Sequence, residues 1–423
     1  MTFPFGKFFA NKSKWQQIID DVRSQGGYVP SFIAQAIPNG AVDPFHQDFT
    51  NLKRKNIRFR GRTYSDFDRL AEAEIKNSPT IYEFKSEVET ELARLDSRGG
   101  IRFISEREAR SPGSIINPIQ WERSPKADGT WKKRFIIHSK ANCFYSRPRF
   151  SLTDISEEIH VLAKFTELVV CDNSDCFYQI KVTEAASRWL RFKVDFPGEP
   201  VRFAEMLVLG MGVSGSPYIV QSANKLLVEA YSFKYGVYCE VYIDDTWSST
   251  KAGVPHFDHF CAPLGIHFKS SKKVQGSNLT ILGVTIDLQA KTAKLDDRKA
   301  NVLALEAARL SVAARAGKIA PNQLSTFLGR AEFCSKVTTL GRVNTSELVR
   351  CFAEFASDGG DVSSDQEILE LSELAGQELE WWKGIMGWGR SLCPPDHHNQ
   401  VRFKSWRRLY PPPLPASVTH PYL

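Results

Sequence analysis

Two short apolar runs that each deliver aspartate constrain this chain more than anything else in it. "TELVVCD" (166–172) finishes on Asp172, and "EVYIDDTWSS" sets Asp244 and Asp245 side by side between apolar flanks. Val237, Val241, Ile243 and Trp247 alternate as a strand does. Aspartate is a poor strand former and a good turn former, so on its own the pair reads as a hairpin corner. If the two strands lie together in one sheet, three carboxylates meet at its end. Converging carboxylates have raised pKa values unless cations neutralise them. Hard divalent ions such as Mg²⁺ take one or two protein carboxylates and complete their shell with substrate phosphates. Two such ions clamp the attacking and leaving oxygens of a phosphoryl transfer. A convergent aspartate set on a basic chain therefore points to nucleotidyl transfer, with Mg²⁺ or Mn²⁺ as cofactor.

Composition narrows the partners. Lys and Arg number 55 against 48 Asp and Glu, a formal net charge of +7. The surplus is concentrated in "LKRKNIRFRGR" (52–62), where Lys53, Arg54 and Lys55 lead six cations and one ring with no acid. Interleaved cations and a stacking ring suit a phosphate backbone, and a solvated basic loop explains the segment equally well. The 423 residues, 42% apolar and 24% charged, can build two or three ordinary globular domains. No apolar run is long enough to span a membrane, and "MTFPFGKFFANKSKW" lacks a signal-peptide core. Eight scattered cysteines without CxxC pairs indicate a reducing compartment. The expectation is a cytoplasmic or nuclear protein, not a secreted one. Cys393, His397 and His398 have no second ligand pair nearby, so zinc is not expected there.

Along the chain, residues 1–100 read as a helical, basic extension. "SPTIYEFKSEVETELARLDSRGG" is an amphipathic helix closed by Gly99-Gly100. Short strands follow: "IRFIS", "SIINPIQWERS" and "WKKRFIIHS", the last two turning at Asp128-Gly129. "RWLRFKVD" and "RFAEMLVLG" are strands around the turn "FPGEP". "GSPYIVQSANKLLVEAYSF" is a helix with Ser216 as N-cap, Pro217 in its first turn and an apolar face of Ile219, Val220, Ala223, Leu226, Leu227 and Ala230. "LTILGVTID" and "TAKLD" are further strands. From 296 to 356 the chain is helical, with Arg309, Arg315, Lys318, Arg330 and Lys336 on exposed positions. Residues 357–423 are a linker, one more helix over "QEILELSELAGQELEWWKGIM" and a Pro-rich tail.

The order of these segments resembles the palm of reverse transcriptases over roughly residues 100 to 350. "WERSPKADGTWKKRFIIHSKAN" looks like the fingers hairpin, and "VVCDNSDCFYQIKV" like the first catalytic strand. "LVLGMGVSGSPYIVQSA" is similar to the loop and helix under the incoming nucleotide, and "YIDD" fits the Tyr-x-Asp-Asp box. "LGIHFKSSKKVQ" resembles the following helix and lysine loop, and "LTILGVTI" the primer grip. Within the group, "LSTFLGRAEFCSKVTTLGR" and "ELEWW" with the later "GRSL" look most like LTR-type retroelements, above all the DIRS type with its tyrosine recombinase. In that type an RNase H module follows, so RNase H and recombinase modules are expected partners outside this chain.

The resemblance implies an α+β right-hand polymerase: fingers and an antiparallel palm over 101–295 and a helical thumb over 296–356. It implies an RNA-directed DNA polymerase that takes an RNA or DNA template-primer and dNTPs. Asp172 and Asp244 would bind both metals, helped by a carbonyl of Cys171 or Asn173, and Asp245 would complete the site. Lys126 and Arg134 would hold the triphosphate, with Met211 and Gly212 in the loop beneath the nucleotide. Phe177 would be the steric gate against a 2′-OH, or simply a core ring. Lys272 or Lys273 would protonate pyrophosphate. Gln221, the basic residues Lys53, Arg54 and Lys55, and Leu282-Gly283 would face the template-primer. Two departures stand out: Gly210 replaces the usual Pro, and His138-Ser139-Lys140 replaces a DxR triplet. The competing reading is a domesticated or fragmentary nucleic-acid-binding protein that keeps the fold without turnover. A related RNA polymerase is disfavoured by Phe177.

Overall fold

The computed structural model describes residues 3–45, 50–51, 56–126, 129–146, 150–338, 340–385 and 389–391. Lys53, Arg54, Lys55, Asp128, the Cys393 and His397-His398 group and the Pro-rich tail lie outside the described residues. Two compact units form, one from residues 1–154 with 167–282, the other from 155–166 with 283–423.

In the first unit an antiparallel sheet runs in the order Cys239–Tyr242, Asp245–Ser249, Leu168–Asp172, Val274–Gly276. Leu168–Asp172 is central, and its apolar run is buried as a strand covered on both faces must be. Behind it lies the helix Ser216–Tyr235, which ends at Gly236 in the left-handed conformation. All six residues of its expected apolar face are buried. Gly215 is the cap and Ser216 the first helical residue, its hydroxyl donating to the Gly210 carbonyl at 3.0 Å. A hairpin of Ile119–Pro125 and Trp131–Ile137 stands apart as its own two-stranded sheet. A further sheet orders Ile101–Ile104, Arg202–Met206, Arg191–Val194 and Ile116–Asn117.

Side chains between Phe5 and Leu95 contribute to this unit's core. Phe5, Phe8, Phe9 and Trp15 are buried in one cluster with Tyr178, Ile180 and Val208. The Gly6 and Phe8 amides donate to the carbonyls of Tyr178 and Gln179 at 3.0 and 2.9 Å. The helix expected across 78–100 is broken at Phe84 into Pro79–Glu83 and Lys85–Ser97.

The second unit packs the helix Asp297–Arg315 through Ala300, Leu303, Ala307 and Leu310, with Leu379 and Trp382 of Glu373–Lys383 buried in the same unit. The Glu378 carboxylate accepts the backbone amides of Glu347 and Leu348 at 3.0 and 2.9 Å, which caps the helix Ser346–Ser357. The last helix covers only Glu373–Lys383 of the longer stretch expected. "LTILGVTI" is interrupted by consecutive left-handed residues, Leu282 at φ 52° and Gly283 at φ 77°, so it forms two strands. No helix is long and apolar enough to cross a membrane among the described residues.

Candidate active site

The register of the central sheet places the carboxylates. Asp172 and Asp245 are direct antiparallel partners, and Asp244 sits in the two-residue turn between Tyr242 and Asp245. The turn is tight because Ile243 adopts φ 56°, a conformation costly for a β-branched residue. Its cost is met by the helix behind it: Gln221 Oε1 accepts the Ile243 amide at 2.6 Å, and Asn224 Nδ2 donates to the Ile243 carbonyl at 2.7 Å. Gln221 Nε2 also donates to the Val241 carbonyl at 3.2 Å. Gln221 is therefore buried, with both ends of its amide engaged by the hairpin that carries Asp244. The Asp244 carbonyl in turn accepts the Asn173 amide at 2.7 Å, joining the two aspartate-bearing segments.

The electrostatics follow from this crowding. Burial first, then the charges of Asp244 and Asp172, push the Asp245 carboxyl up to about 6. Asp244 is raised by burial and then by Asp172. Cations answer from two directions. Lys272 Nζ lies 2.5 Å from Asp172 Oδ2, and Lys269 Nζ lies 3.0 Å from Oδ1. Burial pulls the Lys272 ammonium down, but its hydrogen bond and attraction to Asp172 more than reverse this and hold it above the usual lysine range. Lys273 is turned elsewhere, onto both oxygens of Asp258 at 2.7 and 2.8 Å, so of the two candidate lysines only Lys272 meets the carboxylates.

On the hairpin, Arg134 donates across to Glu122 at 2.8 Å, and Lys126 is exposed near the turn. Lys132, not singled out from sequence, is the hairpin cation that feels Asp244 and Asp172; burial and then Arg134 hold its pKa below the usual value. It shares a face with Arg134 by strand alternation, and that alternation was the available signal. Lys269 had no comparable signal beyond lying three residues before Lys272.

Met211 accepts the Ile137 amide at 3.0 Å, which ties its loop to the hairpin. Gly212, at φ 94°, is required for that approach: a Cβ there would stand 2.1 Å from the Ile137 carbonyl oxygen. Phe177 is half-buried in a short turn, Cys176–Gln179, entered through left-handed Asp175. The altered triplet is structural. His138 Nε2 meets Gln120 Oε1 at 2.7 Å with its pKa lowered to about 4 by burial and then by Arg60, and the buried Lys140 ammonium donates to the carbonyls of Ala71 and Ala73 at 3.2 and 2.6 Å. Leu282 and Gly283 form the turn already described, where the Lys299 side chain fills the space beside Gly283.

As the side chains lie, no three His, Cys, Asp or Glu residues among those described stand close enough to hold a metal. The donor set nevertheless fits a hard cation. Asp172 Oδ1 is buried without a hydrogen bond of proper geometry, despite Lys269 at 3.0 Å. The carboxyls of Asp244 and Asp245 are raised by burial first and then by neighbouring negative charge, and the Lys269 and Lys272 ammoniums stand beside Asp172, where a cation would neutralise that charge.

Residues 132–286 match the family described as reverse transcriptase (RNA-dependent DNA polymerase). No curated protein matches. Among solved structures, the foamy viral protease-reverse transcriptase dRH in complex with double-stranded DNA superposes with a TM-score of 0.51 at 14% identity, covering 79% of this chain and 50% of that one. The foamy viral protease-reverse transcriptase in complex with an RNA/DNA hybrid gives 0.50 at 13% identity, covering 75% and 38%. This chain thus spans half or less of the length of those chains. Residues 132–286 are similar to the reverse transcriptase family, and the likeness to the solved structures shows an α+β polymerase fold.

Proposed function

We propose that the chain is an RNA-directed DNA polymerase that extends a primer 3′-OH with dNTPs. The observation that carries this reading is the cross-strand pairing of Asp172 with Asp245, with Asp244 in the adjoining turn, inside the segment that matches the reverse transcriptase family. Asp172, Asp244 and Asp245 would hold Mg²⁺ or Mn²⁺. When bound, the cation lends positive charge to the attacking and departing oxygens. Lys272, released from Asp172, is placed to hold or give a proton at the pyrophosphate. Lys132 and Lys126 hold the triphosphate, and Phe177 packs beneath the sugar. Arg134 acts through Glu122, keeping the hairpin's strands in register.

On this reading 101–295 are fingers and palm, 296–356 a thumb, and Leu282-Gly283 the turn that supports the primer. The template-primer is held by basic residues that include Lys53, Arg54 and Lys55, and the parent element is of the LTR group, nearest the DIRS type. Primer extension on an RNA template, with Mg²⁺ or Mn²⁺ and with dNTPs or NTPs, tests the proposal. Extension with dNTPs is the expected result. Tight template-primer binding without any extension would favour the reading of a binding protein that has kept the fold.

A further inference from the structure

Gln179 is buried, uncharged and two residues beyond Phe177, and its side chain meets four polar atoms of other residues. Its Nε2 lies 2.6 Å from Asn173 Oδ1, 2.5 Å from the Ser174 carbonyl and 2.9 Å from the His267 carbonyl. Its Oε1 accepts the His267 amide at 2.9 Å. One side chain thereby joins three stretches: the turn Cys176–Gln179, the residues that follow Asp172, and the segment that leads from His267 to Lys269. The Ser174 amide donates to the His267 carbonyl at 2.9 Å, and the Lys269 amide to the Asp172 carbonyl at 2.9 Å, so the same segments also meet through backbone.

The outer side of this junction is closed by the N-terminal segment. The Phe8 amide donates to the Gln179 carbonyl, and Phe3 stacks on the His267 ring at 4.3 Å. Arg98 lies over the rings of Phe3 and Phe5 at 4.3 and 3.8 Å and donates to the Phe3 carbonyl at 2.8 Å. A buried, multiply bonded amide specifies one arrangement, because each alternative leaves polar groups unpaired. Phe177 has no such bonds of its own side chain. Its position relative to Asp172 is set by the backbone on either side, which the Gln179 side chain links through Asn173 and Ser174 alongside the Tyr178 amide that donates to the Asp175 carbonyl at 2.8 Å.

We propose that Gln179 is a positioning residue for sugar selection, fixing how far the Phe177 ring stands from Asp172, with the Phe3–His267 stack bracing it. The inference rests on the polymerase reading and on Phe177 as the sugar gate. Gln179→Leu keeps the volume and removes every donor and acceptor. Affinities of a dNTP and the matching NTP are measured in complexes with a chain-terminated primer, where no turnover is needed, alongside a melting curve. Gln179→Leu is expected to reduce the preference for dNTP by about fivefold, the equivalent of about one net hydrogen bond. In a Phe177→Val background the same change is expected to alter the preference no further. Phe3→Leu, which disturbs the junction from its surface, is expected to shift the preference in the same direction by less, and it decides the matter if Gln179→Leu does not fold. An unchanged preference with both affinities falling alike overturns the proposal, as does an equal further loss in the Phe177→Val background. A native protein that binds neither nucleotide in such a complex would instead refute the polymerase reading itself.

Discussion

Lys272 donates to Asp172 at 2.5 Å, so the carboxylate best placed to receive a cation already has one, covalently attached to the chain. Lys269 approaches the other oxygen at 3.0 Å. A metal ion bound at Asp172 must displace at least one of these ammoniums. Both lysines are about half exposed, so each pair is worth no more than about 1 kcal/mol after solvent screening.

Lys269→Gln should therefore tighten Mn²⁺ binding by roughly two- to fivefold, the effect of relieving a competitor worth up to about 1 kcal/mol. Calorimetric titration of the protein without nucleic acid reads this directly. Unchanged or weaker binding would mean that Lys269 supports the metal-ready arrangement rather than opposing it.

Asp244→Asn removes a proposed ligand while keeping the turn's shape. Extension should be lost, while template-primer affinity stays within about threefold, since nonspecific affinity comes from basic surfaces. Single-turnover extension and a binding titration on the same preparation check both halves. Retained extension would displace Asp244 from the metal site.

Gln221 was expected to face the template, and its bonds to Ile243 and Val241 suggest a different consequence. Gln221→Leu leaves the Ile243 amide without its acceptor while Ile243 stays at φ 56°. The expected destabilisation is about 1–3 kcal/mol, partly recovered by Ile243→Gly, which accepts that φ freely. A residue serving only the template would instead lower template-primer affinity with an unchanged melting temperature.

The strands ending on Asp172 and flanking Asp244 were legible because aspartate interrupts an apolar alternation. The helix Ser216–Tyr235 was legible because Pro217 opens a regular apolar face. What could not be read was tertiary. "FPFGKFF" shows that rings will be buried, but not that Tyr178 and Val208 will be their neighbours. Ile243 carries no local sign of a left-handed backbone, since bonds from a helix some twenty residues earlier impose it. Gln179 reads as an ordinary polar residue in a strand-like run until its partners at 173, 174 and 267 are known. Lys132 and Arg134 alternate on one face, yet only the fold shows that one answers Glu122 and the other the carboxylates.

Asp245 supplies the pH dependence. Its carboxyl is pushed up to about 6 from an ordinary 3.8, by burial first and then by Asp244 and Asp172, with Lys272 and Lys132 offsetting part of the rise. Between those two values the folded protein holds a proton at this position that the unfolded chain has released. Linkage then requires stability to fall as pH rises from about 4 to about 6, and to stay lower above that window. Asparagine cannot ionise, so Asp245→Asn should escape the penalty. In metal-free buffer at pH 8 the variant should be more stable than the native protein by about 1–3 kcal/mol, from a shift of roughly two units at 1.36 kcal/mol each. Near pH 4 the difference should vanish, because native Asp245 is then protonated in the fold. Saturating Mg²⁺ should raise the native melting temperature more than the variant's, since the cation relieves the same repulsion that asparagine removes. Paired melting curves at pH 4 and pH 8, with chelator and with Mg²⁺, measure all three. A variant no more stable than the native protein at pH 8 in chelator would show that the Asp245 carboxylate is already neutralised by Lys272 and Lys132, leaving no charge surplus for a metal to answer.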